Sequence, residues 1–424
     1  MFSSRTLLRL PLMPLVMIFI VASHALAAEK DPAAEKDFSD NYSQVFQIQV
    51  VAPDAGSKSS IGSGFQVTSD GLIMTNFHVI ASFVESPDNF EIKFSDKDGQ
   101  TGPLELVNFD VINDLALLKH PTPTSSFFNF SKTPSIKGET LYALGNPADW
   151  GMVMVPGPNN GFTEHSYREQ ILFSGSLNGG MSGGPSLNSD GDVVGVNVAS
   201  AGSQLSFLIP ARHAVALKDS DKILDTADYK SEIASQIRDW QDRRLGDLVN
   251  SDWDKEKFVG RQLVGEMRND FRCWGKSNED DEERKFSRIY RYCYTSDDIF
   301  ITDNLDVGSI NFWFSEAQSI SLNQFQFANS QERSLSSNSN SAFEHSTNFR
   351  CKTRFLDQQK EENSNYIKVT TCVRAYKELG GLYDSVLILQ NHESLTSFAA
   401  SLSVSGAEQH QIQSLNKRFI EAAL

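Results

Sequence analysis

Three short segments carry side chains able to perform nucleophilic acyl transfer together. They are Thr75-Asn76-Phe77-His78-Val79, Asn113-Asp114-Leu115-Ala116-Leu117-Leu118 and Gly179-Gly180-Met181-Ser182-Gly183-Gly184-Pro185. A serine hydroxyl is almost never ionised at neutral pH, so Ser182 attacks a carbonyl only if a base takes its proton as it moves. An imidazole titrates near neutrality and can accept that proton and return it, which is the part available to His78. A buried carboxylate fixes the ring's tautomer and stabilises the imidazolium. Asp114 opens an apolar run, Leu115 to Leu118, and an unpaired buried charge is costly, so it requires a partner that His78 can supply. The glycines around Ser182 permit a tight turn that aims the N–H groups of Gly180 and Ser182 into one oxyanion hole.

Each segment alone is commonplace: a lone histidine is usually a core or turn residue, a lone Asn-Asp-Leu a strand start, a lone Ser-Gly-Gly-Pro a turn. The order His, Asp, Ser with separations of 36 and 68 residues gives them weight. Asp110 is the rival carboxylate, in a looser context. His120, His165 and His213 lack the motif and read as structural or surface residues. The histidines and cysteines do not have zinc-site spacing, and no metal or cofactor is expected.

Elements able to position these residues surround them. From Tyr42 to about residue 218 short apolar runs alternate with Gly, Asp, Asn and Pro: Phe46/Ile48/Val50 in half-buried alternation, then Ile61–Val67, Leu72–Thr75, Phe90–Phe94, Leu115–Leu118, Leu141–Leu144 and Val193–Val198. Many short strands at such spacing predict a sandwich or a pair of barrels. With Gly62-Ser63-Gly64-Phe65 before the histidine segment, Gly145-Asn146-Pro147, the run Ile171–Pro185 with Asn178 and Gly180, and Ser206-Phe207-Leu208-Ile209-Pro210, the stretch from about 45 to 218 resembles the trypsin-like protease domain of the Deg/HtrA type. The resemblance implies a chymotrypsin-like pair of six-stranded β-barrels, with His78, Asp114 and Ser182 in the cleft between them. It places Ser176 at the floor of the specificity pocket and Ala199, Ser200 and Ala201 on its walls, a small neutral pocket. Substrate backbone is expected to pair with the strand near 198–201. Met181 departs from the pattern, standing where the family usually has Asn and digestive trypsins have Asp. Activation by a freed N-terminus is therefore not expected. No PDZ-like pattern follows the protease segment.

The chain has 424 residues, 40% of them apolar and 22% charged, with 27 glycines and 29 phenylalanines, a balance that suits a globular, mainly β protein of two or three domains. The net charge of −16 disfavours nucleic acid as a partner. Arg5 and Arg9, the apolar run Leu10 to Val21 and Ala25-Leu26-Ala27 predict a signal peptide over 1–27, the run being too short to span ~30 Å of hydrocarbon. Its loss leaves 36 basic against 54 acidic residues, a charge of −18. The expected product has no membrane span and is periplasmic or secreted.

Residues 28–41 repeat Ala-Ala-Glu-Lys-Asp and read as a flexible tether to a protease domain over 42–222. Ile233, Ile237, Trp240, Leu245 and Leu248 recur at helical spacing within 228–258, predicting a helical linker over 223–262. A C-terminal β-rich domain over 263–424 shows a weak duplication, Asp270-Phe271-Arg272-Cys273 against Asn348-Phe349-Arg350-Cys351. Two similar units (about 265–328 and 343–406) are expected, with a Ser/Asn-rich linker over 329–342 and a closing helix marked by Ile412, Leu415 and Phe419. The four cysteines allow three pairings; separations of 20 and 21 residues favour the disulfides Cys273–Cys293 and Cys351–Cys372. The expectation is an exported serine endopeptidase acting on polypeptides, its C-terminal domain docking substrate or partner. A catalytically silent protease-fold binding protein is the other reading.

Overall fold

Short runs of β-branched and aromatic residues broken by turn formers build the first half. The computed structural model describes residues 42–147, 150–202, 204–335, 344–358 and 365–424; the signal segment 1–27 and the tether 28–41 lie outside them. Strands β1 (Val45–Ala52), β2 (Ser57–Gln66), β3 (Leu72–Thr75), β4 (Glu91–Ser95), β5 (Thr101–Pro103), β6 (Glu105–Asp110) and β7 (Leu115–Lys119) form one antiparallel sheet in the order β5-β4-β1-β2-β3-β7-β6. Helix α1 (Phe77–Glu85) follows β3 after one residue, Asn76. Strand β1 is buried on both faces rather than one: Gln47 and Gln49, the polar partners of Phe46, Ile48 and Val50, are also buried and bond each other.

Strands β8 (Thr140–Gly145), β9 (Val153–Phe162), β10 (Ile171–Phe173), β11 (Pro185–Leu187), β12 (Val193–Gly202) and β13 (Leu205–Pro210) close into a six-stranded barrel, and helix α2 (Ala211–Lys218) follows. The second barrel thus has the expected six strands. The first sheet has seven, because the short β5 adds an edge next to β4.

Helix α3 (Tyr229–Asn250) buries all five apolar residues that predicted it. Ile233, Ile237 and Trp240 pack with the first sheet, Leu245 and Leu248 with the C-terminal core. It ends before the expected limit at 258. Strands β14 (Lys255–Phe258) and β15 (Arg261–Val264) form a hairpin whose turn residues, Val259 and Gly260, both have positive φ, the backbone of a two-residue hairpin turn.

The remainder contains β16 (Phe271–Ser277), β17 (Phe286–Thr295), β18 (Ile299–Thr302), β19 (Leu305–Val307), β20 (Ile310–Ser319), helix α4 (Gln324–Leu335), β21 (Arg350–Gln358), β22 (Asn365–Ala375), β23 (Tyr383–Glu393), β24 (Thr396–Ala407) and helix α5 (Gln409–Ala423). Seven of these strands make one sheet, β16-β17-β20-β24-β23-β22-β21. The two cysteine hairpins are its opposite edges, so the duplication is merged into one sheet through β20 and β24. Cys273–Cys293 joins directly paired residues of β16 and β17, and Cys351–Cys372 those of β21 and β22. The expected linker is helical as far as Leu335, where α4 ends; 336–343 lie outside the described residues. Ile412, Leu415 and Phe419 of α5 are buried against the sheet.

The hairpin β18–β19 stands apart from that sheet. Its Ile299, Ile301 and Val307 join one buried cluster with Ile48, Phe77 and Trp240, so the two halves of the chain share a core.

Candidate active site

Helix α1 starts at Phe77, which places His78 in its first turn, directly beyond the buried strand β3. Asp114 closes the turn between β6 and β7 in a left-handed backbone conformation (φ 54°) that Asp tolerates better than most residues. Its carboxylate thereby turns back on His78. Oδ2 lies 2.7 Å from His78 Nδ1, and Oδ1 accepts the His78 backbone N–H at 2.8 Å. Asn76, fully buried, donates from Nδ2 to the Asp114 carbonyl at 2.7 Å. Asn76 stood in the histidine motif, but nothing in the sequence marked it as the residue fixing the Asp114 backbone. Asp110 is occupied elsewhere, accepting from Asn113 N and Nδ2 at 2.9 and 2.7 Å.

Burial of the His78 ring pushes its pKa down, but the charge and hydrogen bond of Asp114 and the charge of Asp303 outweigh burial and hold it above the ordinary 6.5. The group is partly buried, with 30% of its side chain exposed against 14% for Asp114.

Ser182 lies on the loop between β10 and β11 and lines the same cleft as His78 and Asp114, a space of about 510 Å³ whose walls also include Arg168, Leu177, Val198, Asp298, Phe300 and Asp303. Its hydroxyl donates to the Val198 carbonyl at 2.6 Å, and no hydrogen bond joins it to His78 among the described residues. Gly180 has φ 95° and Gly183 φ 85°; a Cβ at Gly183 would lie 2.2 Å from the Ser63 carbonyl, so this position excludes any side chain. The N–H groups of Gly180 and Ser182 meet no acceptor among the described residues.

Ser63 ties this loop to the first sheet. Its Oγ donates to the Gly180 carbonyl at 2.7 Å and accepts the Asn146 N–H at 2.9 Å, while its own N–H donates to the Ser182 carbonyl at 2.7 Å. Met181 is fully buried in the second barrel's core beside Gly145, an apolar anchor where a charged residue would have no partner. Sequence reasoning saw both residues without assigning Ser63 this role. Ser63→Ala leaves the buried Gly180 carbonyl and Asn146 N–H without partners. We expect it to lower stability by about 1–3 kcal/mol and to reduce kcat more than it raises KM. Urea melts and steady-state kinetics check both.

Ser176 is exposed and is not among the residues lining this cleft, whereas the following residue, Leu177, lines it. Ala199, Ser200 and Ala201 lie on β12, and their side chains fall outside the described residues. His120 packs its buried ring on Phe94, His165 bonds the Asn269 carbonyl, and His213 sits on α2, away from the cleft lining.

The family described as trypsin-like peptidase domain matches residues 62–196. A probable periplasmic serine endoprotease, DegP-like, of Marinomonas sp. (strain MWYL1) is 31% identical over 184 residues, which cover 41% of this chain and 38% of that protein. Human serine protease HTRA3 is 30% identical over 199 residues, covering 44% and 41%. The chain therefore spans about two-fifths of the length of these curated relatives. A solved serine endoprotease from Yersinia pestis aligns over 43% of this chain and 64% of its own, at 24% identity and a TM-score of 0.38. Residues 62–196 thus match the trypsin-like peptidase domain family, and this part of the chain is similar to Deg/HtrA-type serine proteases.

Proposed function

We propose that the chain is an exported serine endopeptidase that hydrolyses polypeptides through an acyl-enzyme. The observation that carries this reading is the bonded pair His78–Asp114 in one cleft with Ser182 and with the uncommitted N–H groups of Gly180 and Ser182. Asp114 holds the proton on Nδ1, leaving Nε2 free to act as the base. Rotation about the Ser182 Cα–Cβ bond takes the hydroxyl off Val198 O and towards Nε2. As Oγ bonds to the scissile carbonyl carbon, its proton passes to His78. The carbonyl oxygen becomes an oxyanion held by the two N–H groups, and the imidazolium then protonates the leaving amine. Water repeats the sequence to release the acyl group. Among the described residues strand β12 pairs with β11 over Val193–Val196, so Val198, on the cleft wall, lies beyond that pairing and can meet an added substrate strand. Leu177 and Val198 make the adjoining wall apolar, which favours an uncharged side chain before the cut.

Export is supported by the reading of residues 1–27, by the relatives named as periplasmic, and by the two disulfides. Among the described residues no helix is long and apolar enough to cross a membrane.

A fluorophosphonate probe tests the reading: it should label the chain on Ser182 and leave the Ser182→Ala chain unlabelled. A well-folded protein that takes no label refutes it. The pH profile gives a second check. The base must be neutral, and His78 is held above 6.5 in the folded protein, so kcat/KM should rise through an acidic limb centred above pH 6.5. A limb below 6.5 contradicts that assignment.

A further inference from the structure

Among the described residues the C-terminal half reaches the cleft at one place, the hairpin β18–β19 and the residues leading into it. Side chains alternate along a strand. On β18 the odd positions, Ile299 and Ile301, are buried in the shared core with Phe77 and Val84 of α1. The position between them, Phe300, is partly buried: it packs against the margin of that core and also lines the cleft. There its ring meets the His78 imidazole edge to face, with centroids 6.1 Å apart and planes at 79°. The hairpin turn then places Asp303, exposed to solvent, on the same cleft and on the adjoining recess lined by Ser60, His78 and Glu85. The base of the hairpin is fixed: Asp297 accepts from Ser166 Oγ at 2.6 Å and Tyr167 N at 2.8 Å, and Arg168 Nη2 donates to the Asp298 carbonyl at 2.7 Å.

We propose that this hairpin is a working wall of the catalytic centre, with Phe300 and Asp303 as positioning residues: Phe300 fixes the His78 ring by its edge contact, and Asp303 stabilises the imidazolium that forms when His78 takes the Ser182 proton. The inference rests on the endopeptidase reading above and assigns the C-terminal half a place in that reaction. The charged groups facing His78 are Asp114 from the β6–β7 turn, Asp303 from the hairpin turn, Asp298 and Arg168 across the cleft, and Glu85 at the end of α1. Asp114 is bonded to the ring and must stay. Among the described residues Asp303 makes no hydrogen bond or ion pair, so its effect on His78 acts through space and is screened by salt.

The test has two arms. In the Ser182→Ala chain, the His78 imidazole is titrated by NMR with and without Asp303→Asn. Loss of the carboxylate should shift the midpoint downward, and high salt should shrink the difference. An unmoved midpoint overturns Asp303's role. This arm needs no turnover, so it decides the hairpin contact even if the chain proves not to be a peptidase, which the missing fluorophosphonate label would show separately. In the second arm, Phe300→Ala should lower kcat by about tenfold or more with KM changed by less than about twofold, and Phe300→Tyr should restore most of it. Wild-type kcat in Phe300→Ala, or failure of Phe300→Tyr to exceed Phe300→Ala, overturns the role of Phe300. If Phe300→Ala does not fold, Phe300→Leu takes its place: it fills the space without a ring edge, and wild-type kcat in that chain rejects the contact.

Discussion

Asp114→Asn should lower kcat by about 10⁴-fold and leave KM near its starting value. The reason is tautomeric. Asp114 Oδ2 accepts from His78 Nδ1 at 2.7 Å while Oδ1 accepts the His78 backbone N–H at 2.8 Å. An asparagine can keep the second bond only with its oxygen in the Oδ1 position, which turns its NH₂ group on Nδ1. The ring then bonds through an unprotonated Nδ1 and carries its proton on Nε2, where it cannot receive another from Ser182. The left-handed backbone at 114 is one that Asn also accepts, and Asn76 still holds the 114 carbonyl, so the fold should lose no more than about 1 kcal/mol. Asp110→Asn is the control. Its carboxylate hydrogen-bonds only Asn113 among the described residues and its charge acts on His213, away from the cleft, so activity should remain within about twofold. Comparable losses from the two substitutions, or activity of Asp114→Asn within tenfold of wild type, would reject the assignment of Asp114 as the orienting carboxylate.

The candidate site was legible because its parts are local motifs. The chemistry of Asp114 beside Leu115–Leu118 requires a partner, and the glycines flanking Ser182 record a turn that only they can make; Gly183, 2.2 Å from a carbonyl once given a Cβ, shows why. Strands such as Leu72–Thr75 were legible for the same reason, a short apolar run between turn formers. Helix α1 was not. Phe77–Glu85 contains Val79, Ile80 and Val84, residues whose intrinsic preference is for strands, and burial against the sheet decides the matter instead. A motif count fixes the sequence distance of Ser176 from Ser182 but not which way a loop residue faces. The C-terminal half was read as two units because each copy looks like a hairpin with a bridge. The pairing of β20 with β24, Ile310 opposite Val404, is a contact across nearly a hundred residues that no local pattern encodes. The same non-locality hid the approach of Phe300 to His78 and the burial of Arg244, which in the sequence is one charge among many on an amphipathic helix.

That arginine should be the most sensitive point for stability. Arg244 is fully buried, its guanidinium 4.6 Å from the Trp240 ring and donating to the Gly308 carbonyl. Asp270 lies 3.9 Å away and Asp297 3.8 Å, both almost fully buried themselves. Burial pushes the guanidinium pKa down to about 10 despite the two carboxylates, so the group is still charged at neutral pH. Among the described residues, Arg244→Ala leaves Asp297 with Arg168 as its one neighbouring cation, Nε likewise 3.8 Å away, and opens a void beside Trp240. The expected loss is about 3–5 kcal/mol, read from urea unfolding, the range for removing one partner of a buried ion pair. Arg244→Lys should recover little of it, because an ammonium cannot stack on the indole and face two carboxylates at once. The damage should also reach the cleft. Asp297 positions Ser166, Tyr167 and Arg168 of the loop that leads to Gln170 on the cleft wall. Under conditions where Arg244→Ala remains folded, KM should therefore rise further than kcat falls. A stability loss below about 1 kcal/mol would show that the network contributes little, and an unchanged KM would show that the loop is held by other contacts.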